Sequence, residues 1–364
     1  MPRETEQEES ILTDLHIDPI IQHFLFDYDI SEAHDESWRP SKRRWLFHLV
    51  KSFARLRCWH QPFFNHIDMP RMLKGRYAFG AFGIHHWPVQ SEKGWQNILR
   101  QLAYFHQVVE HNRRLIVART PADISRARQE NKVAGFPAVE GAHCLGAGGK
   151  GSTAKRLARL DELFKKYSVR TLTLAHFSKT DVATPALGLG SNAHDSLADF
   201  GKAVIQKMND IGMIVDVAHV NNQGVLDACR VSSKPVIVSH TGVNGIHEHA
   251  RNIGDDAIHA VAETGGVIGI MFATNFLSGA DTNPSSKIIL EHIDYIVQTA
   301  GEDHAAIGSD FDGWIPRIPQ DMNDATDVHV LVRGMQNIGY SETRIRKILG
   351  ENFLRVWAEV LGST

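Results

Sequence analysis

Cysteine is scarce in this chain: three residues in 364, Cys58, Cys144 and Cys229. The count is odd and no CxxC occurs, so neither a disulfide framework nor a zinc–cysteine cluster is supported. No apolar run approaches the ~20 residues needed to span a bilayer. The polar, acidic start "MPRETEQEESIL" is followed by no apolar leader. A charge excess is lacking as well, with 39 Lys+Arg against 42 Asp+Glu and a formal net charge of −3. Without a long basic run, nucleic acid and a membrane surface are excluded as first-choice partners. No GxGxxG or GxxxxGK[ST] is present, which removes the usual nucleotide-binding signatures. A soluble, cytoplasmic protein in a reducing compartment is expected.

Histidine is plentiful, at 21 residues, in a chain whose 43% hydrophobic content is ordinary for a globular protein. Residues 1–10 read as a flexible tail and 11–364 as a single domain. That size suits a (β/α)8 barrel, which runs from ~200 to over 400 residues. Eight short β-rich runs are predicted as strands: 11–18, 77–87, 136–143, 169–176, 212–219, 234–240, 265–272 and 304–312. Amphipathic helical patterns lie between them, among them 93–112, 197–212, 288–301 and 341–361. A polar, aromatic-bearing stretch with helical spacing around 44–56 predicts a helical insertion after the first strand. Strand alternating with helix eight times predicts an α/β fold, a (β/α)8 TIM barrel. A doubly wound sheet is the runner-up.

The ionisable residues fall in one place along this pattern. Six strands end in His16/Asp18, Glu140, His176, His219, His240 and Asp310, and the second strand ends in His85 and His86. In a barrel these ends meet at one mouth, where active sites are built. A single histidine there is most simply a packed or loop residue; the argument rests on the set. His and carboxylate ligands without Cys suit Zn2+, Mn2+ or Fe2+. Residues i and i+2 of a strand share a face, so His16 and Asp18 can both look into the mouth. Glu140 is the carboxylate placed to bridge two ions, and a paired-metal site points to hydrolysis.

The motifs themselves resemble the membrane (renal) dipeptidase family of metallopeptidases, peptidase family M19 of the amidohydrolase superfamily. "DLHID" (14–18) resembles its opening D-x-H-x-D, and "FPAVEGAH" its V-E-G-[GA]-H. "VRTLTLAH", "MNDIGMIVDVAHV", "KPVIVSHTGV", "RNIGDDAI" and "HIDYIVQTAGEDHAAIGSDFDG" follow in the family's order, and "YSETRIRKILGENFLRVW" closes the match. The resemblance implies a TIM barrel of the metal-dependent hydrolase type and hydrolysis of the amide bond of dipeptides. It implies two Zn2+ per chain, one held by His16, Asp18 and Glu140 and the other by Glu140, His219 and His240, with a hydroxide between them. Asp310 would move the proton from water to the leaving amine. His176 would steady the oxyanion. Arg251 would grip the substrate's carboxylate. On strand-face grounds alone Asp312 is an equal candidate for the base. A homodimer is also expected.

His-Ile-Asp occurs three times, at 16–18, 66–68 and 292–294. The last lies in a helical pattern, where i and i+2 do not share a face. The second runs into Pro70, which disfavours a strand, and resembles a family segment without ligands. Only 16–18 is placed to bind metal. The chain departs from the family pattern after His176 ("FSKTDVATPALG"), in the glycine-rich "GAHCLGAGGKGST", at His85–His86 in place of Q-F-W, and in the enlarged 25–60 segment. The glycine-rich run is predicted as a mouth loop and the 25–60 segment as a lid or subunit contact. Another amidohydrolase activity on the same site, on N-acyl amino acids or lactones, is the alternative function. A catalytically idle barrel serving as a binding subunit is the third.

Overall fold

In a computed structural model the described residues are 11–34, 38–55, 65–148, 152–279, 282–315 and 317–362, with the side chains of 50–55 excepted. The 1–10 tail, Cys58 and the end of the 25–60 segment lie outside them. Nine parallel strands form one sheet: β1 (Leu12–Ile17), β2 (Tyr77–His85), β3 (Leu115–Val117), β4 (Val133–Glu140), β5 (Thr171–Thr173), β6 (Ile214–Asp216), β7 (Val236–Thr241), β8 (Val267–Ile270) and β9 (Ala305–Ile307). The pairing path is β1-β2-β4-β5-β6-β7-β8-β9, and β3 joins only β4. The end strands meet through Asp18 N–H to Phe311 O (2.8 Å) and Asp310 N–H to His16 O (3.0 Å). The result is a nearly closed eight-stranded (β/α)8 barrel. Its strands are buried along almost their whole length, as parallel strands covered by helices must be.

The predicted strands are all present, most of them shorter than expected. β3 was not anticipated, because three residues carry no readable alternation. β4 starts at Val133 rather than 136 and runs through Pro137. Proline gives no N–H to a ladder. Here it falls between the stretch of β4 paired with β3 (Val133–Gly135) and the stretch paired with β5 (Ala138–Glu140), so neither ladder loses a bond. Within the glycine-rich run 141–153, "AHCL" forms a buried 3-10 turn directly after β4, and residues 149–151 lie outside the described residues.

The lower end of the barrel is packed with aromatics. Phe79 of β2 and Phe136 of β4 meet edge to face at 4.9 Å, and Trp357 of the helix Asn352–Leu361 packs on Phe136 at 5.1 Å. With that end filled, the opposite end, at the carboxyl ends of the strands, is where a barrel builds its site. The insertion after β1 is helical, as predicted. Pro19–Phe26 begins directly after Asp18 with proline in its first turn, and Arg44–Arg55 follows.

Candidate metal centre and active-site cavity

The residues placed at strand ends converge. Glu140 Oε1 lies 3.5 Å from His16 Nε2, 3.0 Å from His219 Nε2 and 3.4 Å from His240 Nε2. Its other oxygen, Oε2, lies 3.5 Å from His176 Nε2 and 3.8 Å from His85 Nδ1. Asp18 Oδ1 is 3.5 Å from His16 Nε2. All five expected metal ligands are therefore brought together around one carboxylate.

Local structure explains how each is aimed. β1 has a register irregularity between Asp14 and Ile17, just where its ligands begin; such irregularities re-aim side chains next to sites. Asp18 stands at the N-cap of the following helix, yet its carboxylate makes no capping bond. Gly83 of β2 makes room for it, since a Cβ there would collide with the Asp18 carboxylate. His176, His219 and Asp310 sit three residues beyond the last residues of β5, β6 and β9. His219 (φ 64°) and Asp310 (φ 61°) take left-handed backbone conformations that non-glycine residues rarely adopt. Such strain concentrates at functional sites.

His240 is oriented from behind. Ser239 Oγ donates to Asp216 Oδ2 (2.7 Å) and lies 2.9 Å from His240 Nδ1. The serine has one hydrogen and gives it to the carboxylate, so the proton between Ser239 and His240 must sit on Nδ1. That leaves the Nε2 lone pair facing Glu140 and His219, whose Nε2 is 2.9 Å away. Asp216 also accepts from Thr173 Oγ1, Ala218 N and Ser239 N. Asp216 belongs to one of the quoted motifs, but sequence reading assigned it no role; an acid three before a ligand histidine was the available signal.

Electrostatics favours a cation here. Burial pushes the Glu140 and Asp310 carboxyls well above the usual carboxylate range, with neighbouring carboxylates adding to it. Burial works against a charged His16, but Glu140 and Asp18 outweigh it and lift its pKa to about 10. Burial holds His176, His219 and His240 well below the usual imidazole value, hence neutral and ligand-competent. His16 Nε2 and Asp18 Oδ1 are buried 3.5 Å apart, and neither makes a hydrogen bond among the described residues. Unpaired buried polar atoms are costly, and imidazoles with carboxylates are a metal donor set. The residues present fit a divalent metal.

The two acids that follow β9 are separated by their partners. Asp312 is fully buried, accepts from His66 N (2.9 Å) and Ile67 N (3.4 Å), and lies 3.1 Å from the His66 ring nitrogen Nδ1. Asp310 instead lines a cavity of about 720 Å³, together with Asp18, Glu140, His176, His219 and Arg251. The second His-Ile-Asp thus serves to hold Asp312, and its Asp68 caps the helix Met69–Lys74 through Arg71 N. The third is structural too. His292 Nδ1 accepts from Val243 N (2.9 Å) and Nε2 reaches Leu277 O (2.9 Å). Arg251 is buried, donates to His240 O (3.0 Å), and is pushed down by burial to about 10, so it stays cationic. From the insertion, Phe24, Leu25 and Arg43 line the cavity wall. No described helix is long and apolar enough to cross a membrane.

The model of the membrane dipeptidase family, peptidase family M19, matches residues 7–362. A dipeptidase, tcpJ, of Claviceps purpurea is 28% identical over 309 residues, which span 81% of this chain and 69% of that protein. The crystal structure of the probable dipeptidase PvdM from Pseudomonas aeruginosa superposes with a TM-score of 0.79 at 19% identity, covering 99% of each chain. A metallopeptidase from Rhodobacter sphaeroides, solved with a phosphinate mimic of the dipeptide L-Ala-D-Ala, gives 0.74 at 23% identity, covering 97% of this chain and all of that one. These two likenesses show the fold. The match of the family model over nearly the whole length is what decides kinship: the chain belongs to the membrane dipeptidase family, peptidase family M19, a family of metal-dependent dipeptidases.

Proposed function

We propose that this protein hydrolyses the amide bond of dipeptides at a pair of zinc ions, with Glu140 between them, His16 and Asp18 completing one side and His219 and His240 the other. The observation that carries the reading is the position of Glu140 Oε1, 3.5 Å from His16 and 3.0 and 3.4 Å from His219 and His240. One carboxylate is in reach of both ligand groups. When bound, the ions would polarise the scissile carbonyl and acidify the attacking water.

The remaining work falls to the chain's own residues. Arg251 has one nitrogen committed to His240 O and its other donors free to receive a terminal carboxylate as a fork. Asp310, with its raised carboxyl pKa, is suited to take a proton from water and return it to the leaving amine. His176 is neutral and at the cavity wall, where an N–H can meet the developing oxyanion.

The test is turnover by zinc-loaded protein of L,L, L,D and D,D dipeptides, with N-acyl amino acids and lactones alongside. Arg251→Ala should lower kcat/KM on dipeptides on the order of 10- to 100-fold, the worth of a charged hydrogen bond. Dipeptide turnover untouched by that substitution sinks the carboxylate-reading role. Turnover confined to N-acyl amino acids or lactones moves the activity to the alternative amidohydrolase class. A chain with no bound metal and no turnover would be the idle barrel.

A further inference from the structure

We infer that His85 is an additional metal ligand on the Asp18 side of the centre, a role that rests on the metallodipeptidase reading. His85 is the last residue of β2 and lies in register opposite Glu140. Its main chain is clamped at both ends by one side chain: Gln101 Oε1 accepts from His85 N (3.3 Å) and Gln101 Nε2 donates to His85 O (2.8 Å). The backbone that carries the ring is thus held in place beside Glu140.

Its Nδ1 is buried and has no hydrogen-bond partner. Other buried or half-buried histidines here satisfy a ring nitrogen on a backbone carbonyl: His292 on Leu277 O, His304 on Gly266 O and His106 on Tyr167 O. A histidine kept only for packing would be expected to do the same. His85 Nδ1 instead looks at Glu140 Oε2 from 3.8 Å. Asp18, His85 and Glu140 each offer one donor atom, all within 4.8 Å of one another. Two ligands of one zinc ion, bound at ~2.0–2.2 Å, stand at most about 4.4 Å apart. The His85–Glu140 separation already satisfies that limit.

The neighbours of His85 and His176 place them on different sides of Glu140. His176, on the same Glu140 oxygen, groups with His219, whereas His85 groups with Asp18. Without His85 the Asp18 half offers one imidazole and two carboxylates. With it, the set becomes two nitrogens and two carboxylates. An added imidazole favours zinc and cobalt over manganese, which prefers oxygen donors. His85 would thereby set the metal preference of one half of the centre.

The experiment titrates metal-free protein with Co2+, followed by visible absorption and bound stoichiometry, for wild type, His85→Gln and His16→Ala. Wild type should take up two ions. His85→Gln should still take up two, one of them weakened at least about 10-fold, with an altered absorption band and a reduced preference for Zn2+ over Mn2+. His16→Ala marks which ion belongs to that half. Ring-15N NMR of the zinc-loaded wild type reads the same point without a substitution: one imidazole bound through Nδ1. Unchanged affinity and spectrum in His85→Gln with only KM altered, or no Nδ1-bound imidazole in wild type, overturns the assignment and makes His85 a substrate contact. A wild type that binds no Co2+ overturns the metal reading itself.

Discussion

Ser239→Ala isolates the tautomer argument. The substitution deletes one oxygen that joins Asp216 Oδ2 (2.7 Å) to His240 Nδ1 (2.9 Å). Asp216 keeps its bonds from Thr173, Ala218 and the Ser239 N–H, so the local backbone is still held. The loss falls on His240, which is fully buried and would carry an Nδ1–H without an acceptor. Leaving a buried donor unpaired costs about 1–3 kcal/mol. The ring can then shift its proton to Nε2, the nitrogen needed for metal. Removing such a supporting partner typically weakens metal binding ~10- to 100-fold, or ~1.4–2.7 kcal/mol. The assay is competition of metal-free protein with a chromophoric zinc chelator, for wild type, Ser239→Ala and Ser239→Thr. Threonine keeps the hydroxyl and should bind close to wild type, with one ion weakened only in the alanine variant. Equal affinity for both ions in wild type and Ser239→Ala, at equal thermal stability, would refute the orienting role.

Two further outcomes are expected. His219→Ala and Asp310→Asn should both abolish dipeptide hydrolysis, but only His219→Ala should lower metal content by elemental analysis; equal metal loss would make Asp310 a ligand instead of a base. His292 supplies a pH test. Burial pushes its pKa down to about 4, against 6.5 in an unfolded chain. The folded state therefore resists a proton that the unfolded state accepts. The stability is fully present above pH 6.5 and is lost as pH falls from 6.5 toward 4. A shift of that size is worth about 3 kcal/mol. The stability gap between wild type and His292→Leu in urea should shrink by about that amount from pH 7.5 to 4.5. A gap independent of pH would mean that the neutral imidazole, bonded to Val243 N and Leu277 O, is not what holds that corner.

The barrel was legible because its signals are local. Buried parallel strands are short apolar runs, and helices between them show 3.6-residue periodicity, so eight strands and the insertion could be read from neighbouring residues alone. The unread parts were those where the local signal was weak or contradicted. β3 is three residues long. The start of β4 was hidden by Pro137, acceptable only because the strand changes neighbours there. His176, His219 and Asp310 were expected on strands and lie beyond them, since the left-handed turns at His219 and Asp310 leave no pattern in residue type.

The site divides in the same way. Sequence by itself determined which residue types stand at the carboxyl ends of the strands, and the motif order determined the family. It also excluded the third His-Ile-Asp, because helix geometry is fixed by spacing. Only the tertiary structure separated the surroundings of Asp310 and Asp312, which strand spacing left equivalent: His66 N–H, 246 residues from Asp312, claims one, and the other lines the cavity. It alone set Ser239 between Asp216 and His240, the arrangement that calls for a proton on His240 Nδ1, and left His85 Nδ1 without a hydrogen bond among the described residues. Hydrogen-bond direction and metal reach depend on distances of a few ångströms between residues far apart in the chain. Such distances exist only once the barrel has closed.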